Sequence, residues 1–264
     1  MIILKSFYFS MHFSITGCCF IVLYLISSFA YGQKTEHYKS TLTGDTIKYV
    51  VYLPQGYNQG KKYPLLLFLH GMSEKTWPVG SINPAVRKVG LPKHLENGLK
   101  LPFVVVVPNI AYPDWDNIGY TKDFKSKYQP GALPVEIAEM ALKKYSVDTA
   151  RVYITGISMG GGGTFSAVHL FPKVFAAAIP IAGWGDNSKS CVTITPVWAF
   201  QGSKDNGSGI RGIIQGIKEC QPESQSKVTV LEGKGHYIWD DVYLNKASGG
   251  IDIYHWLLQH SKGK

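Results

Sequence analysis

Two short, uninterrupted apolar runs, Leu65 to Leu69 (LLLFL) and Phe103 to Val107 (FVVVV), limit the folds open to this chain more than any other feature. A strand with one face in water alternates apolar and polar residues, so runs of this kind, bounded by Pro and Gly, fit strands buried on both faces of a mostly parallel sheet. Beyond them the pattern predicts a helix from about Leu133 to Tyr145, a strand from Arg151 to Thr155, a helix from about Met159 to Phe171 and a strand near Ala176 to Ile181. The series continues with a strand at Val197 to Gln201, a helix near Ile210 to Glu219, a strand at Lys227 to Leu231 and a helix from about Ile251 to Gln259. Strands alternating with helices imply right-handed crossovers and a doubly wound α/β sheet. Upstream, residues 36 to 53 alternate in strand fashion around Thr43-Gly44-Asp45, which predicts an antiparallel hairpin at a sheet edge. Ligands of doubly wound sheets sit beyond the carboxyl ends of the strands, so residues directly after strands are the ones to search for chemistry.

The amino-terminal thirty residues differ in kind. Lys5 is the only formally charged side chain before Lys34, and the apolar run from Phe13 to Ala30 ends at Ala30-Tyr31-Gly32. This reads as a secretory signal peptide over residues 1–32, cleaved before Gln33, followed by one domain over residues 33–264. A retained membrane anchor is a second reading, since a run of about 18 residues is near the lower limit for spanning. A lipoprotein box at Ile15-Thr16-Gly17-Cys18 is a third, although the segment after Cys18 stays apolar where a tether would turn polar. Export would leave only Cys191 and Cys220, a candidate disulfide, with two buried unpaired thiols as the competing reading. The formal charge of the whole chain is +9. Its positive residues are scattered, which fits a basic surface that attracts acidic polymers better than a nucleic-acid site.

Gly156-Ile157-Ser158-Met159-Gly160 matches G-x-S-x-G, a short motif that a surface loop can also carry. Here it directly follows the strand RVYIT and opens a helix, the setting of a nucleophile elbow built around Ser158. A serine hydroxyl needs a base within hydrogen-bond reach. His236, on the turn EGKGHYIW after the strand ending at Leu231, is the candidate. Among the other histidines, His12 lies in the leader, His37 on the edge hairpin, and His94, His169, His255 and His260 in or near helices. The acid that orients the base should fall between the two in sequence, as Asp205 does in the turn GSKDNG. Asp186 competes, Asp240 and Asp241 come after the histidine, and a merely turn-forming Asp205 is the bland alternative. Oxyanion donors are expected at the backbone N–H groups of Met159 and Met72, with His70 as a hydrogen-bonding residue that shapes the latter's loop.

The stretch from Val147 to Ala182, with YPLLLFLHG, PVWAFQGSKD, GHYIWDDVY and IDIYHWLL, resembles the secreted feruloyl esterase, acetyl-xylan esterase and polyhydroxybutyrate depolymerase branch of the α/β-hydrolases. The resemblance implies the α/β-hydrolase fold without a large cap domain, and it carries over Ser158, Asp205 and His236 in the family's order. Gln201, where such proteins often have histidine, and Ser73-Glu74-Lys75, where their loop is richer in glycine, are departures that bear on the acyl pocket. The roughly fifteen residues between Ile181 and Val197 leave no room for a helical cap, so an open cleft is expected. Trp184, Tyr237 and Trp239 could supply its flat apolar walls, or could simply pack in the core. The expected function is a secreted serine carboxylic-ester hydrolase working through an acyl-enzyme on acetyl or feruloyl esters of plant or cell-wall polysaccharides. It calls for no cofactor, metal, nucleic acid or, once the leader is removed, membrane, and oligomeric state is left open. A polyester or short-chain carboxylesterase, a prolyl-oligopeptidase-type peptidase and an inactive carbohydrate-binding module on the same fold are the alternatives.

Overall fold

The computed structural model describes residues 32–76, 78–110, 131–207, 209–246 and 252–263. Residues 1–31 of the expected leader, Cys18 among them, lie outside the described residues. The described strands form one eight-stranded sheet: Gly32–Lys39 (β1), Thr46–Leu53 (β2), Tyr63–Leu69 (β3), Val104–Asn109 (β4), Val147–Ile157 (β5), Ala177–Ile181 (β6), Trp198–Gly202 (β7) and Lys227–Leu231 (β8). Their spatial order is β1-β2-β4-β3-β5-β6-β7-β8. β1 pairs antiparallel with β2, and β2 antiparallel with β4; from β4 to β8 the neighbours are parallel. The sheet is therefore doubly wound, with the expected hairpin at one edge. β3 and β4 are buried along their whole length, as uninterrupted apolar runs require.

Around the sheet lie the helices Gly90–Glu96 (α1), Ala132–Lys144 (α2), Met159–Leu170 (α3), Ile210–Cys220 (α4), Trp239–Tyr243 (α5) and Ile253–Leu258 (α6). Helices α1 and α5 are additions to the sequence reading; at seven and five residues they are too short for a periodic signal. β5 begins at Val147 rather than Arg151, because its first residues run alongside Tyr63 before a register shift that the polar stretch Asp148-Thr149-Ala150 accompanies. Helix α6 starts at Ile253, where Asp252 accepts from the N–H groups of Tyr254 and His255 as an N-cap. On α2, the Glu136 carboxylate accepts from Tyr38 Oη at 3.0 Å, Ser40 Oγ at 2.6 Å and the Thr41 N–H at 2.6 Å, which fastens the edge hairpin to the helical layer.

Helix α3 carries four consecutive glycines, Gly160 to Gly163, each costing about 1 kcal/mol of helix propensity relative to alanine. Close approach explains the first two. A Cβ on Gly160 would overlap the Leu69 carbonyl oxygen at the end of β3, and one on Gly161 would come 2.7 Å from the Ile181 carbonyl oxygen at the end of β6. The helix thus starts in contact with the ends of the neighbouring strands. Between β6 and β7 the chain forms only a 3-10 turn, Asn187–Val192, as expected for a domain without a large cap. Cys191 in that turn is disulfide-bonded to Cys220 at the end of α4, with the α-carbons 5.1 Å apart. Among the described residues no helix is long and apolar enough to cross a membrane.

Candidate active site

Strand order reverses at β3: the next strand, β4, lies on one side of it and β5 on the other. The loops leaving β3 and β5 therefore part at their carboxyl ends and leave a crevice, the usual ligand position in such sheets. Ser158 stands at the tip of β5 with φ 52° and ψ −117°, a conformation that costs a non-glycine residue about 1–3 kcal/mol. The strain is held by the Ser158 N–H, which donates to the Ile181 carbonyl at 2.9 Å, and by the Gly162 N–H, which donates to the Ser158 carbonyl at 3.0 Å. Both glycines of the motif follow from this turn. A Cβ on Gly156 would overlap the Gly160 carbonyl, just as one on Gly160 would overlap Leu69.

His236 completes the arrangement from the loop after β8. Its Nε2 lies 2.9 Å from Ser158 Oγ and its Nδ1 lies 2.8 Å from Asp205 Oδ2. An ionised carboxylate can only accept, so Asp205 fixes the tautomer with hydrogen on Nδ1, leaving the Nε2 lone pair to face the serine hydroxyl. The carboxylate is almost wholly shielded and the imidazole about one-third exposed, with side-chain exposures of 8% and 34%. The loops carrying them are stitched together by Ser203 N–H to the Leu231 carbonyl at 3.0 Å and Lys204 N–H to the Lys234 carbonyl at 2.9 Å. Gln201 Nε2 donates to the Asp205 carbonyl at 3.0 Å, which braces the loop that carries this carboxylate.

The other candidate acids are engaged elsewhere. Asp186 caps the 3-10 turn before β7, and hydrogen bonds from Ser188 hold its carboxyl below the ordinary value. Asp240 meets Lys93 Nζ at 2.5 Å and His94 Nε2 at 2.9 Å, and Asp241 meets Lys234 Nζ at 2.9 Å. Burial works against the charged form of Asp240, but Lys93 and His94 outweigh it and keep its carboxyl below the usual range. Of the other histidines, His70, His169 and His260 are buried and bonded within the fold.

His70 shapes the loop after β3. Its Nε2 accepts from the Ile110 N–H at 3.2 Å, so its proton sits on Nδ1 and is donated to the Gly71 carbonyl at 2.6 Å. Complete burial, aided by the nearby Lys75 charge, lowers the ring's pKa to about 4 and keeps it neutral, as one donor and one acceptor require. In a trans peptide the N–H points opposite the carbonyl, so this bond turns the Met72 N–H away from His70. Met159, the other expected donor, opens α3, where first-turn N–H groups have no intrahelical acceptor. Glu74, in the same loop, is buried and accepts from Ser73 Oγ at 2.6 Å, and its Oε2 lies where a Cβ on Gly71 would clash.

These loops enclose a cavity of about 620 Å³ lined by Gly71, Met72, Ser73 and Glu74, by Lys88, Val89 and Lys93, by Ile157 and Ser158, and by His236, Tyr237, Trp239 and Asp240. Tyr237, 83% exposed, and Trp239 stand edge-on to the His236 ring, at 5.6 and 5.8 Å between ring centres. Trp184 does not line this cavity; it is half-buried against the hydrophobic core, because the short turn after β6 folds back over α3. Lys88 and Lys93 on the cavity wall went unnoticed in the sequence. They sit on a 3-10 turn and on α1, more than sixty residues from Ser158, with no motif to join them. Among the described residues no group of three His, Cys, Asp or Glu side chains is placed to hold a metal ion.

Residues 40–238, which include every residue of the serine, acid and histidine contacts above, match the family model described as "Putative esterase". The chain belongs to this esterase family. It is 26% identical over 216 residues to the bifunctional acetylxylan esterase/xylanase of Neocallimastix patriciarum, covering 78% of this chain and 27% of that protein. It is 26% identical over 138 residues to the probable feruloyl esterase C of Aspergillus terreus, covering 52% of this chain and 46% of that one. The esterase chain thus spans less than half the length of these curated relatives. The solved structure of a thermostable esterase is 27% identical and superposes with a TM-score of 0.67, covering 87% of this chain and 63% of the other.

Proposed function

We propose that this member of the esterase family is a serine carboxylic-ester hydrolase that acts through an acyl-enzyme. The observation that carries the reading is the single imidazole that meets Ser158 on one nitrogen and the buried Asp205 on the other. In this reading His236 removes the proton as Ser158 Oγ attacks the ester carbonyl, and the N–H groups of Met72 and Met159 receive the oxyanion. The tetrahedral intermediate collapses, His236 returns the proton to the leaving alcohol, and water repeats the sequence on the acyl-enzyme to release the acid. Acetyl or feruloyl groups on plant or cell-wall polysaccharide are the substrates we favour. Tyr237 and Trp239 offer flat faces beside the reacting centre, and the chain is similar to relatives named acetylxylan esterase and feruloyl esterase. Export through residues 1–32, with a mature domain over residues 33–264, belongs to the same proposal, and the disulfide between Cys191 and Cys220 supports it, since such bonds persist in oxidising compartments.

The test is hydrolysis of p-nitrophenyl acetate, methyl ferulate and acetylated xylan by the purified domain, together with labelling by a fluorophosphonate probe. Hydrolysis and labelling should both disappear in Ser158→Ala. Unlabelled wild-type protein, or a Ser158→Ala variant that still turns over ester, would remove the central assignment.

A further inference from the structure

Resting on the esterase reading of this cavity, the charges in its walls define its substrate further. Besides His236 and the phenol of Tyr237, the ionisable side chains lining it are the acids and lysines Glu74, Lys88, Lys93 and Asp240. Lys93 and Asp240 neutralise each other at 2.5 Å, and His94 occupies the second Asp240 oxygen. Glu74 is only 3% exposed, whereas its chain neighbours Met72 and Ser73 are exposed, and its carboxyl accepts from Ser73 Oγ at 2.6 Å. Lys88 differs from all of these. It closes the 3-10 turn Pro84–Arg87, its backbone N–H bonding the Ala85 carbonyl at 2.8 Å, while its side chain is exposed and finds no acceptor among the described residues. Formally the four side chains sum to zero, but a molecule entering the cavity meets a paired Lys93, a covered carboxylate and an unneutralised ammonium.

We propose that Lys88 is a specificity-determining residue that pairs with a carboxylate on the substrate, so that the cavity favours esters borne by acidic molecules over neutral ones. The carboxylate could stand on the alcohol side, as in a uronic acid unit of a polysaccharide, or on the acyl side, as in a dicarboxylic half-ester; the chemistry Lys88 recognises is the same. Met72, Val89 and Trp239 add apolar wall to the cavity that Lys88 lines. The formal charge, +9 for the whole chain and +8 once Lys5 leaves with the leader, draws an acidic polymer toward the surface before the local contact forms. An exposed ion pair alone is worth little, so the expected preference is modest, roughly three- to tenfold in kcat/KM at low ionic strength.

The experiment compares two matched pairs of substrates: the acetate and hemisuccinate esters of p-nitrophenol, and acetylated methyl xyloside and acetylated methyl glucuronide. Active-site titration with fluorophosphonate counts competent enzyme in each preparation. For the wild type, one charged substrate should exceed its neutral partner, and which pair shows the effect places the carboxylate on the acyl or the alcohol side. The ratio should fall toward one in Lys88→Ala, invert in Lys88→Glu, survive in Lys88→Arg and shrink with added salt. A wild type that hydrolyses esters without charge preference in either pair, or a preference that persists in Lys88→Glu, would overturn the role of Lys88 and leave the esterase reading standing. A wild type that hydrolyses none of the four would instead overturn the esterase reading itself.

Discussion

At the scale of single residues, the division of labour around His236 sets the order of mutational effects. In the proposed mechanism Ser158 supplies the attacking oxygen and His236 moves its proton, so replacing either by alanine should lower kcat by about 10⁴-fold or more; Asp205→Ala should lower it less, because the imidazole keeps its contact with Ser158. Burst and steady-state kinetics on p-nitrophenyl acetate measure this directly, and an Asp205→Ala enzyme as active as the wild type would contradict the tautomer argument. A second prediction concerns buried rings. Burial lowers the pKa of both His70 and His169 to about 4, against an ordinary value of 6.5. The unfolded chain therefore takes up these protons first. Stability is complete above about pH 6.5 and declines as pH falls toward 4, by an amount on the order of 3 kcal/mol per ring. His169 stacks on Phe165 and bonds Thr193, far from the serine, so His169→Gln should flatten the fall of Tm between pH 6.5 and 4.5. An unchanged slope would show that this ring does not titrate in that window.

Elements bring the chemistry together through backbone contacts. At the end of β7, a Cβ on Gly202 would overlap the carbonyl oxygens of Gly235 and Lys234, so the strand that leads to Asp205 touches the loop that carries His236 without a side chain between them. Gly202→Ala should push those loops apart. The expected result is a stability loss of about 1–3 kcal/mol from overpacking and a larger proportional loss in kcat, read by thermal melts beside turnover. A melt that drops with turnover intact would mean that the contact matters only for packing. Much of this scale was readable from the sequence. LLLFL and FVVVV announced buried strands, and RVYIT running into G-x-S-x-G announced the elbow. Chain order favoured Asp205 as the acid and set Asp240 and Asp241 aside, but it left Asp186 as a competitor, because both stand in turns after strands. Only the fold shows that Asp186 is spent on a cap and Asp240 on Lys93 and His94. The aromatic walls were half legible for the same reason: Tyr237 and Trp239 follow the histidine into the cavity, whereas Trp184 turns back to the core.

For the molecule as a whole, the disulfide joins cysteines separated by 29 positions and closes the segment that holds all of β7 and α4, the unit from which Asp205 projects. Closing a loop of that length removes freedom from the unfolded chain equivalent to about 3–4 kcal/mol in the chain-entropy account. Reduction should accordingly lower Tm by several degrees while turnover at low temperature persists, since neither cysteine lines the cavity. A melt indifferent to reductant would argue that the bond adds nothing to the folded state. The hairpin at the other side of the sheet has a consequence for behaviour in concentrated solution. Among the described residues β1 is an outer strand paired on one side only, and an unpaired row of peptide groups is an invitation to another chain. Here that row is set among Lys34, Glu36 and Lys39, with most of the strand's residues exposed and charged side chains that would have to be dehydrated before a second sheet could dock. That border of the sheet is therefore guarded against growing into a fibril, and the protein can remain dispersed at high concentration.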